Sequence, residues 1–76
     1  MRMTFPVIDM EATGDTIRRL RIEKGVSVKE LSQFLGLSDV RAVYKWQRGE
    51  TLPSIDNLLA LSILLEVPID QILIYK

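Results

Sequence analysis

Residues 27–49 read SVKELSQFLGLSDVRAVYKWQRG, and this stretch decides the fold. Ser27 with Glu30 three residues later is a capping-box signature, in which each side chain serves the other residue's backbone N–H. A helix is therefore predicted over about 28–35, burying Leu31 and Leu35, with Phe34 adding apolar surface. Gly36 supplies the turn, because glycine enters the left-handed region without a steric penalty. Ser38 is a good cap for a further helix, predicted over about 39–47 and closed by Gly49. In it Val43 and Trp46 stand three apart and share a face that packs inward. Arg41, Tyr44, Lys45 and Arg48 recur at i, i+3, i+4 and i+7 on the opposite face. Ser32 is small enough to let the two helices approach closely.

Upstream, a helix is predicted to begin near Thr13–Asp15 and stop at Gly25, with Ile17 and Leu20 inward. Residues 1–13 form an extended or irregular N-terminal segment. They carry Phe5, Val7, Ile8 and Met10, while Pro6 argues against a central strand. Downstream, Ser54 caps a helix whose first turn holds Asp56, and Ile55, Leu58, Leu59, Ser62 and Leu65 follow at helical spacing. Pro68 ends that helix. A short fifth helix is expected beside it, with Asp70 in its first turn and Ile69, Ile72 and Leu73 facing the core. The expected fold class is all-α: five short helices in residues 14–76, after segment 1–13.

A chain of 76 residues supports one core, and with no cysteine it has neither disulfides nor thiolate metal ligands. With no histidine either, it lacks the commonest general base and zinc ligand. No glycine-rich phosphate loop, metal spacing or nucleophile–base pair is visible, so no catalysis, metal or cofactor is expected. The apolar run Leu58–Leu65 is too short to span a bilayer and contains Ser62. With no signal-peptide pattern, a cytoplasmic protein without a membrane partner is expected. The formal net charge is zero, yet Arg18–Arg48 holds eight basic and three acidic residues, a local +5 balanced by −5 elsewhere. Phosphate binding depends on local charge.

The run from Ile17 to Leu73 resembles the phage-repressor, Cro-type or xenobiotic-response-element family of helix-turn-helix domains. The residues that carry the resemblance are Ile17-Arg18-Arg19-Leu20-Arg21, Gly25, Ser27-Val28-Lys29-Glu30-Leu31-Ser32 and Gly36, then Val43-Tyr44-Lys45-Trp46-Gln47-Arg48-Gly49-Glu50, Leu52-Pro53-Ser54 and Asp56-Asn57-Leu58-Leu59-Ala60-Leu61. The resemblance implies a lambda-repressor-like five-helix fold and sequence-specific binding of double-stranded DNA by a small transcriptional regulator. Thirteen positions separate Gly36 from Gly49, one more than in the phage repressors, so the turn is longer by a residue. The family often places a glutamate at the position of Gln47, paired with an arginine matching Arg21. Here a neutral Arg21–Gln47 hydrogen bond is expected, leaving Arg21 partly exposed and able to reach a phosphate.

On this resemblance Arg41, Ala42, Tyr44 and Lys45 are the candidate base-reading residues. Arg41 leads, because guanidinium bonds guanine O6 and N7 together; a solvated surface arginine is the plainer alternative. Ala42 suits a thymine methyl or simply favours the helix, and Tyr44 suits a phosphate, a base or ordinary packing. Candidate phosphate contacts are Arg48, Lys29, the amides near Ser27 and Val28, Arg21 and Thr51, with Lys45 also suited to a phosphate. Glu50 would repel DNA. Trp46 is read as core. A homodimer is expected, through Thr4–Met10 or Ile72–Tyr75, and no small-molecule site is evident. Arg2, outweighed by Asp9 and Glu11, makes the N-terminus a poor DNA arm. The competing class is a protein-interaction module on the same fold, antitoxin-like or regulatory, with little DNA affinity.

Overall fold

A computed structural model describes residues 4–76; residues 1–3, Arg2 among them, lie outside the described residues. Among the described residues four α-helices follow one another: α1 (Met10–Glu23), α2 (Val28–Phe34), α3 (Arg41–Gln47) and α4 (Ile55–Leu65), then a 3-10 turn at Ile69–Gln71. The architecture is all-α, as expected, with four helices and a 3-10 turn in place of five helices. Among the described residues no helix is long and apolar enough to cross a membrane.

The core is one cluster: Ile17 of α1, Val28 and Leu31 of α2, Val43 and Trp46 of α3, Leu58, Leu61 and Leu65 of α4, and Ile72. Each such side chain contributes on the order of 1.5–3 kcal/mol by leaving water. Leu20, Leu35, Ile69 and Leu73 pack around its edge, half-buried.

Three boundaries differ from expectation, each for a local reason. Helix α1 starts at Met10 rather than near Thr13, because Asp9 caps it by accepting from the Ala12 N–H at 3.1 Å. Residues 10–13 are therefore helix, not extended segment. Helix α3 starts at Arg41 rather than 39. Its N-cap position is Val40, and the first helical N–H is taken by Asp39, not Ser38, at 2.8 Å. The expected fifth helix is only a 3-10 turn, because the chain beyond it is drawn into pairing with the N-terminal segment. Ile8 and Tyr75 form an antiparallel bridge, with Asp9 N–H on Ile74 C=O and Lys76 N–H on Val7 C=O, both at 2.8 Å. Buried Thr13 fixes the same junction: its Oγ1 accepts from the Ile74 N–H at 2.9 Å.

Helix α4 carries two apolar stripes. Leu58, Leu61 and Leu65 are buried, whereas Ile55 and Leu59 are 82% and 53% exposed and share an outer stripe with Ile63 at 65%. Both sets recur at helical spacing, and the helix is apolar almost all round, so periodicity alone could not choose between them.

Candidate nucleic-acid interface

The site begins with how α3 is held. Val43 and Trp46 turn fully inward, and α1 crosses close behind them. Gly14 makes that crossing possible: a Cβ there would lie 2.8 Å from the Gln47 carbonyl oxygen and nearer still to that of Trp46. At the far end Gly49 takes φ +75°, and a Cβ there would lie 3.0 Å from the backbone of Glu11. Arg21 adds a polar clasp. Its Nε donates to Gln47 Oε1 at 3.0 Å and its Nη1 donates to the Val26 carbonyl at 2.9 Å, so one half-buried arginine ties α1 to the end of α3 and to the loop before α2. The expected Arg21–Gln47 hydrogen bond is present, a guanidinium donating to a neutral amide in place of an ion pair.

With its inner face so fixed, α3 presents Arg41, Tyr44, Lys45 and Arg48, all exposed, on one outward stripe, while Ala42 is half-buried at its edge. Arg41 Nε lies 3.4 Å from Asp39 Oδ2, and Arg48 Nε pairs with Glu50 Oε2. Lys45, between them, has no ion-pair partner among the described residues. Glu50, expected only to repel DNA, thus neutralises one of the arginines in the free protein.

Lys29, in the first turn of α2, and Thr51, in the loop after α3, are both exposed. At the start of α2 the capping box is complete: Glu30 N–H donates to Ser27 Oγ and Ser27 N–H donates to Glu30 Oε1, both at 3.0 Å. The Ser27 amide is therefore already occupied by a carboxylate, and the Val28 amide of the first turn is the more open of the two expected anion donors. That backbone bond, with the Ser27 hydroxyl, holds the Glu30 carboxyl below its ordinary range. Sequence reasoning missed Gly14, Asp39 and the Arg48–Glu50 pair. The cue for Asp39 was its place two residues before an arginine, where a short carboxylate bonds the backbone ahead of it.

Two short helices joined by a tight turn, the second pinned by its apolar side and showing a basic stripe outward, define the class: a helix-turn-helix DNA-binding domain. Residues 17–72 match the family described as Helix-turn-helix, and the chain belongs to that family, in its xenobiotic-response-element branch. It is similar to the restriction-modification controller protein C.AhdI from Aeromonas hydrophila, with 31% identity over 84% of this chain and 96% of that one, and a TM-score of 0.74. It is similar also to the P22 c2 repressor, solved in complex with a synthetic operator, with 36% identity over 80% and 91% of the two chains and a TM-score of 0.74. The clp gene regulator ClgR from C. glutamicum shares 25% identity over 83% and 80%, with a TM-score of 0.71. No curated protein matches the chain. The protein is a sequence-specific DNA-binding transcriptional regulator of the xenobiotic-response-element, repressor-like family, and not an enzyme.

Proposed function

We propose that α3 lies in the major groove of a short operator and that two copies bind together in the cytoplasm. The observation that carries this reading is the exposed stripe Arg41-Tyr44-Lys45-Arg48 opposite buried Val43 and Trp46. Arg41 faces a guanine, with Ala42, Tyr44 and Lys45 along the base edges. Arg48, Lys29, Thr51, the amides at Val28 and Ser27, and the free edge of Arg21 meet the flanking phosphates. Contact by the Ser27 amide requires the Glu30 carboxylate to give way.

One such helix reads only a few base pairs, and two-fold pairing doubles the site at a spacing of about 34 Å. Two apolar surfaces suit a second copy. The N- and C-terminal segments, expected as separate candidates, join into one ribbon on which Phe5, Val7 and Tyr75 are exposed. The other is the α4 stripe Ile55-Leu59-Ile63. We favour α4, because its residues are held in rigid register one turn apart.

The test is enrichment of bound fragments from randomised duplex DNA, then titration of the winner at several salt concentrations. A preferred sequence whose affinity falls steeply with salt is expected. Arg41→Ala should relax one base position, with a loss of about 1–3 kcal/mol there, whereas Lys45→Ala should weaken binding more evenly and lower the salt slope by about 1. Absence of any enriched sequence would overturn the reading.

A further inference from the structure

We infer that Asp39 is a specificity-determining positioning residue: it steers the Arg41 guanidinium toward a base and away from phosphate. The inference rests on the major-groove role of α3 proposed above. Asp39 uses its two carboxylate oxygens for different tasks. Oδ1 accepts from the Arg41 N–H at 2.8 Å, which caps a helix whose own N-cap, Val40, has no side-chain acceptor. Oδ2 stands 3.4 Å from Arg41 Nε.

An ion pair made on the Nε side leaves both terminal nitrogens of the guanidinium free, and these are the pair whose fork matches guanine O6 and N7 end-on. The Arg41 side chain is 84% exposed, with little protein surface to order it. The carboxylate therefore supplies its orientation. The same negative charge opposes any phosphate that approaches Arg41, so the residue's attraction for arbitrary DNA is reduced while its base contact is kept. Arg48 carries a similar partner in Glu50 at the other end of α3, and Lys45 between them carries none among the described residues.

Asp39→Asn separates the two tasks, because an asparagine keeps a carbonyl oxygen for the Arg41 N–H but offers Arg41 no charge. The full chain, Asp39→Asn, Arg41→Ala and the double variant are each taken through enrichment from a pool of duplexes with a randomised centre. Binding to an unrelated duplex is measured alongside. Asp39→Asn is expected to unfold at the wild-type temperature and to lose discrimination on the order of tenfold at the one base pair that Arg41→Ala also relaxes. It should bind the unrelated duplex several-fold more tightly. The double variant should match Arg41→Ala at that base pair. An Asp39→Asn profile identical to wild type overturns the inference and leaves the DNA-reading role standing. So does a loss confined to a base pair that Arg41→Ala leaves intact, which would make Asp39 a base contact in its own right. A wild-type chain that enriches nothing overturns both.

Discussion

The α2–α3 pair and the α4 region are built from similar helices, yet they encode their orientation differently. In α3, apolar and polar residues divide cleanly: Val43 and Trp46 are buried, and Arg41, Tyr44, Lys45 and Arg48 are exposed. The helix has one way to pack, and what remains outside is chemistry for a charged partner. In α4, Ile55, Leu58, Leu59, Leu61, Ile63, Leu64 and Leu65 cover most of the circumference. The core takes Leu58, Leu61 and Leu65, and the leftover stripe is apolar. A clean division specifies both a fold and a polar ligand, whereas an all-round apolar helix leaves a surface that asks for another protein.

The strongest way to break this comparison is at Trp46. If it is the anchor of the inner face, Trp46→Ala should cost about 3–5 kcal/mol in urea unfolding, most of what a domain of this size has. Tyr44→Ala, on the outer face, should change stability by about 0.5 kcal/mol or less while weakening DNA binding. Equal losses at the two positions would mean that α3 has no single inner face. Next in size is Gly14→Ala. In an exposed helix interior alanine gains roughly 0.8–1 kcal/mol over glycine. Here the added Cβ meets the Trp46 and Gln47 carbonyls, so a net loss of about 1–3 kcal/mol is expected. A stabilised variant would show that α1 and α3 are less tightly apposed.

In α4, Ile63→Lys should leave the unfolding midpoint of the monomer within about 0.5 kcal/mol of wild type. With the proposed pairing through α4, it should nevertheless lower the mass seen by sedimentation at high concentration from two copies to one. Phe5→Asp is the control on the terminal ribbon. If Phe5→Asp dissociates the pair and Ile63→Lys does not, the interface lies at the termini. A wild-type chain that stays monomeric at high concentration removes the dimer altogether.

These differences also explain what the sequence made legible. The start of α2 could be read because Ser27 and Glu30 are local and complementary, and Trp46 could be placed because Val43 fixes its side. The Arg21–Gln47 bond came from resemblance, since its partners lie 26 residues apart. The start of α1 is hard to read because Asp9, its cap, is followed three residues on by Ala12 rather than the glutamate or glutamine that would mark a capping box. The fifth helix was overcounted because Thr13 and Ile74, 61 residues apart, are joined by contacts that no local pattern records. At the candidate site, the exposure of the basic stripe follows from helical period alone. The pairing of Arg41 with Asp39 and of Arg48 with Glu50 depends on side-chain torsions to which periodicity is blind.

The smallest expected effect sharpens the comparison through pH. Two carboxyls are held below their ordinary value of 4.5, one in each region. Glu30 is lowered first by the Ser27 backbone N–H and then by its hydroxyl; Glu66 is lowered by its hydrogen bond and charge pairing with Lys24, whose Nζ is 2.9 Å away. A carboxyl with a depressed folded pKa contributes stability that is complete above the unfolded value and disappears as pH falls through the folded one. Both groups therefore contribute fully at neutral pH and weaken the fold only below about 4.5. Glu30→Gln and Glu66→Gln should each flatten the acid limb of a stability-against-pH curve without changing its shape above pH 6. The two differ in their salt response. The Lys24–Glu66 pair is a surface ion pair, so added salt should erase its share of the acid slope. The Glu30 contribution comes from hydrogen bonds to Ser27 within one capping box and should persist in salt. An acid limb in which both contributions vanish together in salt would show that the cap at α2 is no more than another surface charge.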